Sequence, residues 1–238
     1  MTLKKMMLGV CVTVAAMSLA ACEGNGDMRS SADQPRDTTY GTNEVMTIPA
    51  VDAVTGGQAR VGEQAPNFTL RDLDGKKHTL SKYTDKGKIV VLEWFNPGCP
   101  FVVKHYRDSE NQTMNMLAER YKGEDVVWLA VNSGAQGKQG HGIELNRNIK
   151  NEWNINHPIL IDETGTVGKA YGAKRTPEMY IIDADGTLVY HGAIDNNVSP
   201  TIMGDVNYVE QALEDLMNDR EVRTATSSAY GCTVKYAG

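Results

Sequence analysis

The stretch Lys-Ile-Val-Val-Leu-Glu-Trp-Phe, residues 88–95, does most to limit what this chain can fold into. An almost unbroken apolar run of strand length has no polar face to show to water, so it belongs in the middle of a sheet covered on both sides. Asn96-Pro97-Gly98-Cys99-Pro100 follows at once. Pro-Gly turns the chain, and Pro100 suits the first position of a helix, because its missing N–H would have had no partner there. A second buried strand is predicted over Asp-Val-Val-Trp-Leu-Ala-Val, residues 125–131, and a short one over His-Pro-Ile-Leu-Ile-Asp, residues 157–162. Strands alternating with helical segments imply right-handed crossovers and helices on both sheet faces.

The remaining elements follow from spacing. The helix opened by Pro100 is predicted to carry Val102, Val103, Tyr106, Met114, Leu117 and Tyr121. Leu145, Ile149 and Trp153 share a second helical face; Val209, Leu213, Leu216 and Met217 share a third, with Asn207 and Glu210 placed as a capping box. Gly172 closes a short helix. Asp74-Gly75 and Asp185-Gly186 each sit between strand-like runs and predict hairpins. Neither Asp-x-Asp-Gly turn continues with calcium-loop spacing. The fold class is therefore α/β, a central mixed sheet flanked by helices with an N-terminal β-hairpin extension.

Residues 1–21 read as a signal rather than as fold. A basic Met-Thr-Leu-Lys-Lys is followed by a short apolar run and then Leu19-Ala20-Ala21-Cys22. Residues 22–59 are polar and rich in Gly, Ser and Asp, a tether that cannot bury enough surface to fold. A domain is expected over 60–222 and a tail over 223–238. Removing the signal takes away Lys4 and Lys5 and shifts the net charge from −6 to about −8, which argues against nucleic acid as a partner. With Cys11 lost and Cys22 at the new terminus, two thiols remain, Cys99 and Cys232.

Leu-Ala-Ala-Cys resembles the bacterial lipobox, which implies cleavage before Cys22, lipidation there and an extracytoplasmic, membrane-anchored protein. Glu23 after the cysteine favours the outer membrane, periplasmic side. An uncleaved anchor, or an ordinary signal with a chance cysteine, is the alternative. Cys99 between a buried strand and a helix start suits a reactive thiolate, which backbone N–H groups stabilise; a buried inert cysteine is the alternative. Asn96 is placed to fix the loop through bonds to backbone. Lys104 and His105 either tune Cys99 or lie on a solvated helix face, the reading favoured here.

Together, "VVLEWF" with "NPGCP", "VGEQAPNFTLRDLDGKKHTL" and "TPEMYIIDADGTLVYHGAID" resemble the thioredoxin superfamily in its redoxin branch. Asn96-Pro97-Gly98-Cys99-Pro100 and the tail Gly231-Cys232-Thr233-Val234-Lys235-Tyr236 are most similar to a peroxiredoxin-like group. The resemblance implies a thioredoxin-like fold over about Val61–Tyr236 and no metal or other cofactor. It implies Cys99 as nucleophile, Glu93 as a buried proton carrier with raised pKa, and a cis Pro177 after Thr176 beside the nucleophile, with Asn96, Pro100 and Thr176 lining the substrate. A Glu93 facing out of an edge strand and a trans Pro177 are the alternatives.

Val102 stands where a Cys-x-x-Cys motif has its second sulfur. Cys232 replaces it if the tail folds back; otherwise Cys232 forms a permanent structural disulfide or pairs between chains. Partners would be protein or small-molecule disulfides and a thiol electron donor. Peroxides are the second substrate class, although Asn96, Leu92 and Pro177 replace the Thr, Pro and Arg of peroxiredoxins; Arg175 is near enough to stand in for that Arg. Copper handling on this fold needs a cysteine pair that Val102 and Val103 exclude. A non-enzymatic scaffold with a structural disulfide is the third reading.

Overall fold

A computed structural model describes residues 53–107 and 113–238. The expected signal, Cys22 and the tether up to residue 52 lie outside the described residues. In chain order the elements are β1 (Ala53–Thr55), β2 (Asn67–Asp72), β3 (Lys77–Thr79), α1 (Ser81–Thr84), β4 (Ile89–Trp94), α2 (Pro100–Val103), α3 (Thr113–Arg120), β5 (Val126–Asn132), α4 (Ile143–Glu152), β6 (Ile159–Ile161), α5 (Thr166–Tyr171), β7 (Arg175–Thr176), β8 (Met179–Ile182), β9 (Leu188–Gly192), α6 (Tyr208–Met217) and β10 (Cys232–Thr233). The main sheet runs β1-β2-β6-β5-β4-β8-β9, with β3 paired to β2. β4, β5 and β6 are parallel, whereas β2, β8 and β9 join antiparallel. The first element among the described residues, β1, lies inside the segment expected to be tether, since Ala53–Thr55 pairs with Asn67–Thr69.

β4 lies near the middle of the sheet, and all six of its residues are buried. Side chains alternate across a strand, so β4 feeds two cores. Ile89 and Val91 face Tyr106, Met114, Leu117, Trp128, Val209 and Leu213. Val90, Leu92 and Trp94 face Phe68, Leu70, Leu80, Val167 and Tyr171. Both hairpins close on an aspartate: Asp72 Oδ1 accepts from the Asp74 and Lys76 amides, and Asp183 Oδ1 from those of Asp185 and Thr187.

Four expectations are corrected. The helix opened by Pro100 does not run through to Tyr121. It ends at Val103, tightens into i→i−3 turns at His105 and Tyr106, and helix resumes at Thr113. The intervening sequence, Arg-Asp-Ser-Glu-Asn-Gln, is rich in residues that compete with helix through side-chain bonds to backbone. Met114, Leu117 and Tyr121 nevertheless reach the predicted core. Leu145 is exposed on α4, whose fully buried residue is the polar Asn146. Met217 is likewise exposed at the end of α6, while Ala212 joins Val209 and Leu213 inside. Of the capping box, Asn207 does accept from the Glu210 amide at 3.0 Å, but the Glu210 carboxylate pairs with Arg120.

Candidate active site

β4 delivers the chain to Asn96, whose Oδ1 accepts from the Gly98 amide at 2.9 Å and closes a turn around Pro97. Cys99 follows as the N-cap of α2 in extended conformation, with Pro100 at the first helical position. The Val102 and Val103 amides bond the Cys99 carbonyl. Its sulfur is wholly buried and donates to the Thr176 carbonyl oxygen at 3.0 Å. The Thr176–Pro177 bond is cis. Pro100 is exposed, while Asn96, Thr176 and Pro177 are buried.

The tail does fold back. β10 pairs antiparallel with β7, Cys232 opposite Thr176 and Thr233 opposite Arg175. Thr176 thus receives the Cys99 thiol on its carbonyl and registers with Cys232. Both cysteines are free thiols, Cys99 buried and Cys232 partly exposed. Burial pushes the Cys232 thiol up to about 11, reinforced by a hydrogen bond to Cys99 and by the charge there, and opposed by Lys235 and Arg175.

Glu93 lies below on the central strand, fully buried, so the edge-strand alternative falls. Burial raises its pKa to about 7 against the pull of two donors on Oε2, Tyr106 Oη at 2.6 Å and Trp128 Nε1 at 3.3 Å. Oε1 has no partner among the described residues. His157 Nε2 is 3.1 Å from Tyr106 Oη, and burial, then the Lys150 charge, lowers His157 to about 3, which keeps it neutral.

Lys104 and His105 are not on a solvated face; they are 5% and 0% exposed. The reason is long-range. Asp195, the 197–202 loop and Tyr230 of the tail close over that side of α2. Arg175 is exposed, and its guanidinium donates to the Gly231 carbonyl at 3.4 Å, part of the tail's seat.

Sequence reasoning missed two residues that build the site's walls. Gln139 accepts from Asn96 Nδ2 at 3.2 Å and donates to the Gly98 carbonyl at 3.1 Å. Glu178 accepts from the Lys174 and Arg175 amides at 2.6 and 2.7 Å and from His191 at 2.7 Å, and so sets the turn before Pro177. Burial alone would raise the Glu178 pKa; these donors overrule it and lower it. Gln139 carries no local signal, since its partners lie about forty residues away; Glu178 bonds the turn just before it and is tied to β9 through His191.

Known proteins resemble this chain to different extents. The chain is 31% identical over 132 residues to the thiol-disulfide oxidoreductase ResA of Bacillus thuringiensis subsp. konkukian, covering 54% of this chain and 67% of that protein. It is 29% identical over 169 residues to chloroplastic peroxiredoxin Q of Oryza sativa subsp. japonica, covering 64% and 69% respectively. A hypothetical protein from Sinorhizobium meliloti 1021 superposes with a TM-score of 0.68 at 26% identity, over 78% of this chain and 98% of that one. The architecture is thioredoxin-like. Residues 61–191 match the AhpC/TSA family, more than half of the sequence, and the chain belongs to that family.

Proposed function

We propose that the protein is a thiol–disulfide oxidoreductase in which Cys99 and Cys232 form the redox pair. The observation that carries this reading is the pairing of Cys232 with Thr176, whose carbonyl oxygen holds the Cys99 thiol. In the reducing direction, Cys99 gives its proton to Glu93, and its thiolate attacks one sulfur of a substrate disulfide and expels the other as a thiolate. The substrate thiolate expelled first takes the Cys232 proton; Cys232 then attacks Cys99 Sγ in the mixed disulfide and releases the second substrate sulfur, which takes the proton held by Glu93. The substrate gains two electrons, the protein becomes the Cys99–Cys232 disulfide, and an external thiol donor restores it. Asn96 and Gln139 fix the loop that presents Cys99, while Thr176 and Pro177 form the wall opposite.

The reading extends to location: lipid on Cys22 and a polar tether would hold the domain at the periplasmic side of the outer membrane. Thiol peroxidase activity is the second reading, supported by the family and the peroxiredoxin Q relative. Against it stand the Asn96 side chain, already engaged by Gly98 and Gln139, and the Arg175 guanidinium, turned to the tail.

Replacement of Cys99 by Ser is expected to abolish turnover of a model disulfide, and Cys232→Ser to let mixed disulfides accumulate on Cys99. Loss of thermal stability with unchanged turnover in both variants would instead identify a scaffold. Faster oxidation by stoichiometric peroxide than by oxidised glutathione would favour the peroxidase.

A further inference from the structure

We propose that Tyr230 is the residue that positions Cys232 over Cys99 and, through the tail it anchors, decides which disulfides reach the Cys99 sulfur. The inference rests on the thiol-exchange reading above and assigns a role to a buried cluster that the exchange itself does not use.

Tyr230 precedes Gly231-Cys232 and is 8% exposed. Its hydroxyl donates to Asp195 Oδ1 at 2.5 Å and lies 3.1 Å from His105 Nε2. Its ring lies 4.8 Å from Lys104 Nζ and 5.9 Å from the Phe101 ring. Phe101, Lys104 and His105 all come from the segment that begins at Cys99, so one piece of chain both carries the nucleophile and grips the tail. Lys104 is ion-paired with Asp195 at 3.5 Å, and its ammonium donates to the carbonyls of Asn197, Ser199 and Ile202 at 2.8–3.1 Å. Burial keeps His105 neutral; because the Tyr230 hydroxyl gives its hydrogen to Asp195, the tautomer that fits the 3.1 Å contact carries its hydrogen on Nε2. A buried ionic cluster tolerates few alternative arrangements, because moving one member strands a charge, even though His105 Nδ1 has no partner among the described residues.

The tail needs such an anchor. β10 is two residues long, and strand pairing that short is marginal by itself in water. Gly231 adopts φ +105°, and a Cβ there would collide with the Thr176 carbonyl oxygen, so only glycine lets the tail drop onto β7. Beyond Cys232 the Tyr236 hydroxyl donates to the Ala173 carbonyl at 2.9 Å, and the Ala135 amide bonds the Lys235 carbonyl at 2.8 Å. Cys232 is therefore pinned from both sides, with the charged anchor on the Tyr230 side.

The consequence is selection by access. Thiol exchange needs the attacking sulfur in line with the disulfide, and Cys99 has no exposed surface while the tail is seated. A bulky disulfide meets the partly exposed Cys232 first and reaches Cys99 only when the tail lifts. Reaction at Cys99 then proceeds at the open-state rate multiplied by the open fraction, so any weakening of the anchor raises it in proportion.

The test uses the full chain carrying Cys232→Ser, with Cys99 labelling followed by peptide mass after exposure to a bulky aromatic disulfide or to iodoacetamide. Tyr230→Phe removes one hydrogen bond to a charged acceptor and is expected to raise bulky labelling roughly ten-fold. Tyr230→Ala should raise it further and shrink the bulky-to-small difference. Leu92→Ala, a core change on the sheet face opposite Cys99 and Tyr230, should leave labelling unchanged. Equal labelling rates across the Tyr230 series, or free-thiol rates already in the parent, would overturn the proposal. In the chain that retains Cys232, intact mass reports separately whether the internal disulfide forms. Its absence would sink the exchange reading, while the labelling series still judges the anchor.

Discussion

The residue on which proton handling turns is Glu93. Tyr106 and Trp128 both donate to Oε2, so the proton of the acid form sits on Oε1. Its folded pKa of about 7 lies above the ordinary 4.5. For a raised pKa the contribution to stability is fully present below about pH 4.5 and is lost as pH rises to about 7. The size is about 3 kcal/mol for a shift of this order. Glu93→Gln should therefore abolish the fall in stability between those pH values and make the protein more stable at pH 8, while slowing disulfide exchange; denaturant titrations at pH 5 and pH 8 check the first part. Tyr106→Phe removes a donor that favours the carboxylate, so the Glu93-dependent limb of the exchange pH profile should move to higher pH. Glu93 was legible because a carboxyl inside "VVLEWF" is conspicuous. Its donors Tyr106 and Trp128, and His157 behind Tyr106, were not, because they come from three other segments and look like ordinary core residues in sequence.

At the scale of elements, the tail is the part that distinguishes this molecule from a Cys-x-x-Cys protein. Gly231→Ala would force β10 off β7 through the clash with Thr176. It should slow formation of the Cys99–Cys232 disulfide at least about ten-fold, given that a misplacement near 1 Å can cost that much or more, with Cys99 itself intact; rapid acid quench and intact mass would read the rate. The strands β2–β6, β8 and β9, both hairpins and the Gly172 stop were legible because each rests on local chemistry: apolar runs, Asp-Gly turns, a left-handed glycine at φ +67°. The helix expected from Pro100 to Tyr121 failed for the complementary reason. Its apolar positions fit one helical face, yet the turns at His105 and Tyr106 end the first segment, and the sequence that follows is rich in residues that compete with helix. Lys104 and His105 looked solvated because Asp195 and Tyr230, which bury them, lie roughly ninety and one hundred and twenty-five residues away.

Taken whole, the molecule separates stability from chemistry across its sheet. The core around Val90, Leu92 and Trp94 is on the face away from Glu93 and Cys99. Leu92→Ala should cost about 2–5 kcal/mol of stability, the usual range for emptying a packed leucine site, yet leave exchange at 25 °C near its original rate; a thermal melt beside a turnover assay tests both halves. The fold class was readable from strand and helix order alone, whereas the joining of residues 99, 176 and 232 was anticipated only through the family resemblance, because antiparallel pairing between two-residue strands leaves no periodic signal. The central claim is that Cys99 and Cys232 interconvert as a redox couple. Intact mass with thiol trapping across a series of glutathione redox buffers tests it most directly. The account predicts a reversible two-hydrogen mass loss, mapped to these two cysteines, at a potential above the roughly −300 mV of inert structural bridges. A bond that resists reduction in the native protein, or two thiols that never join, would contradict it.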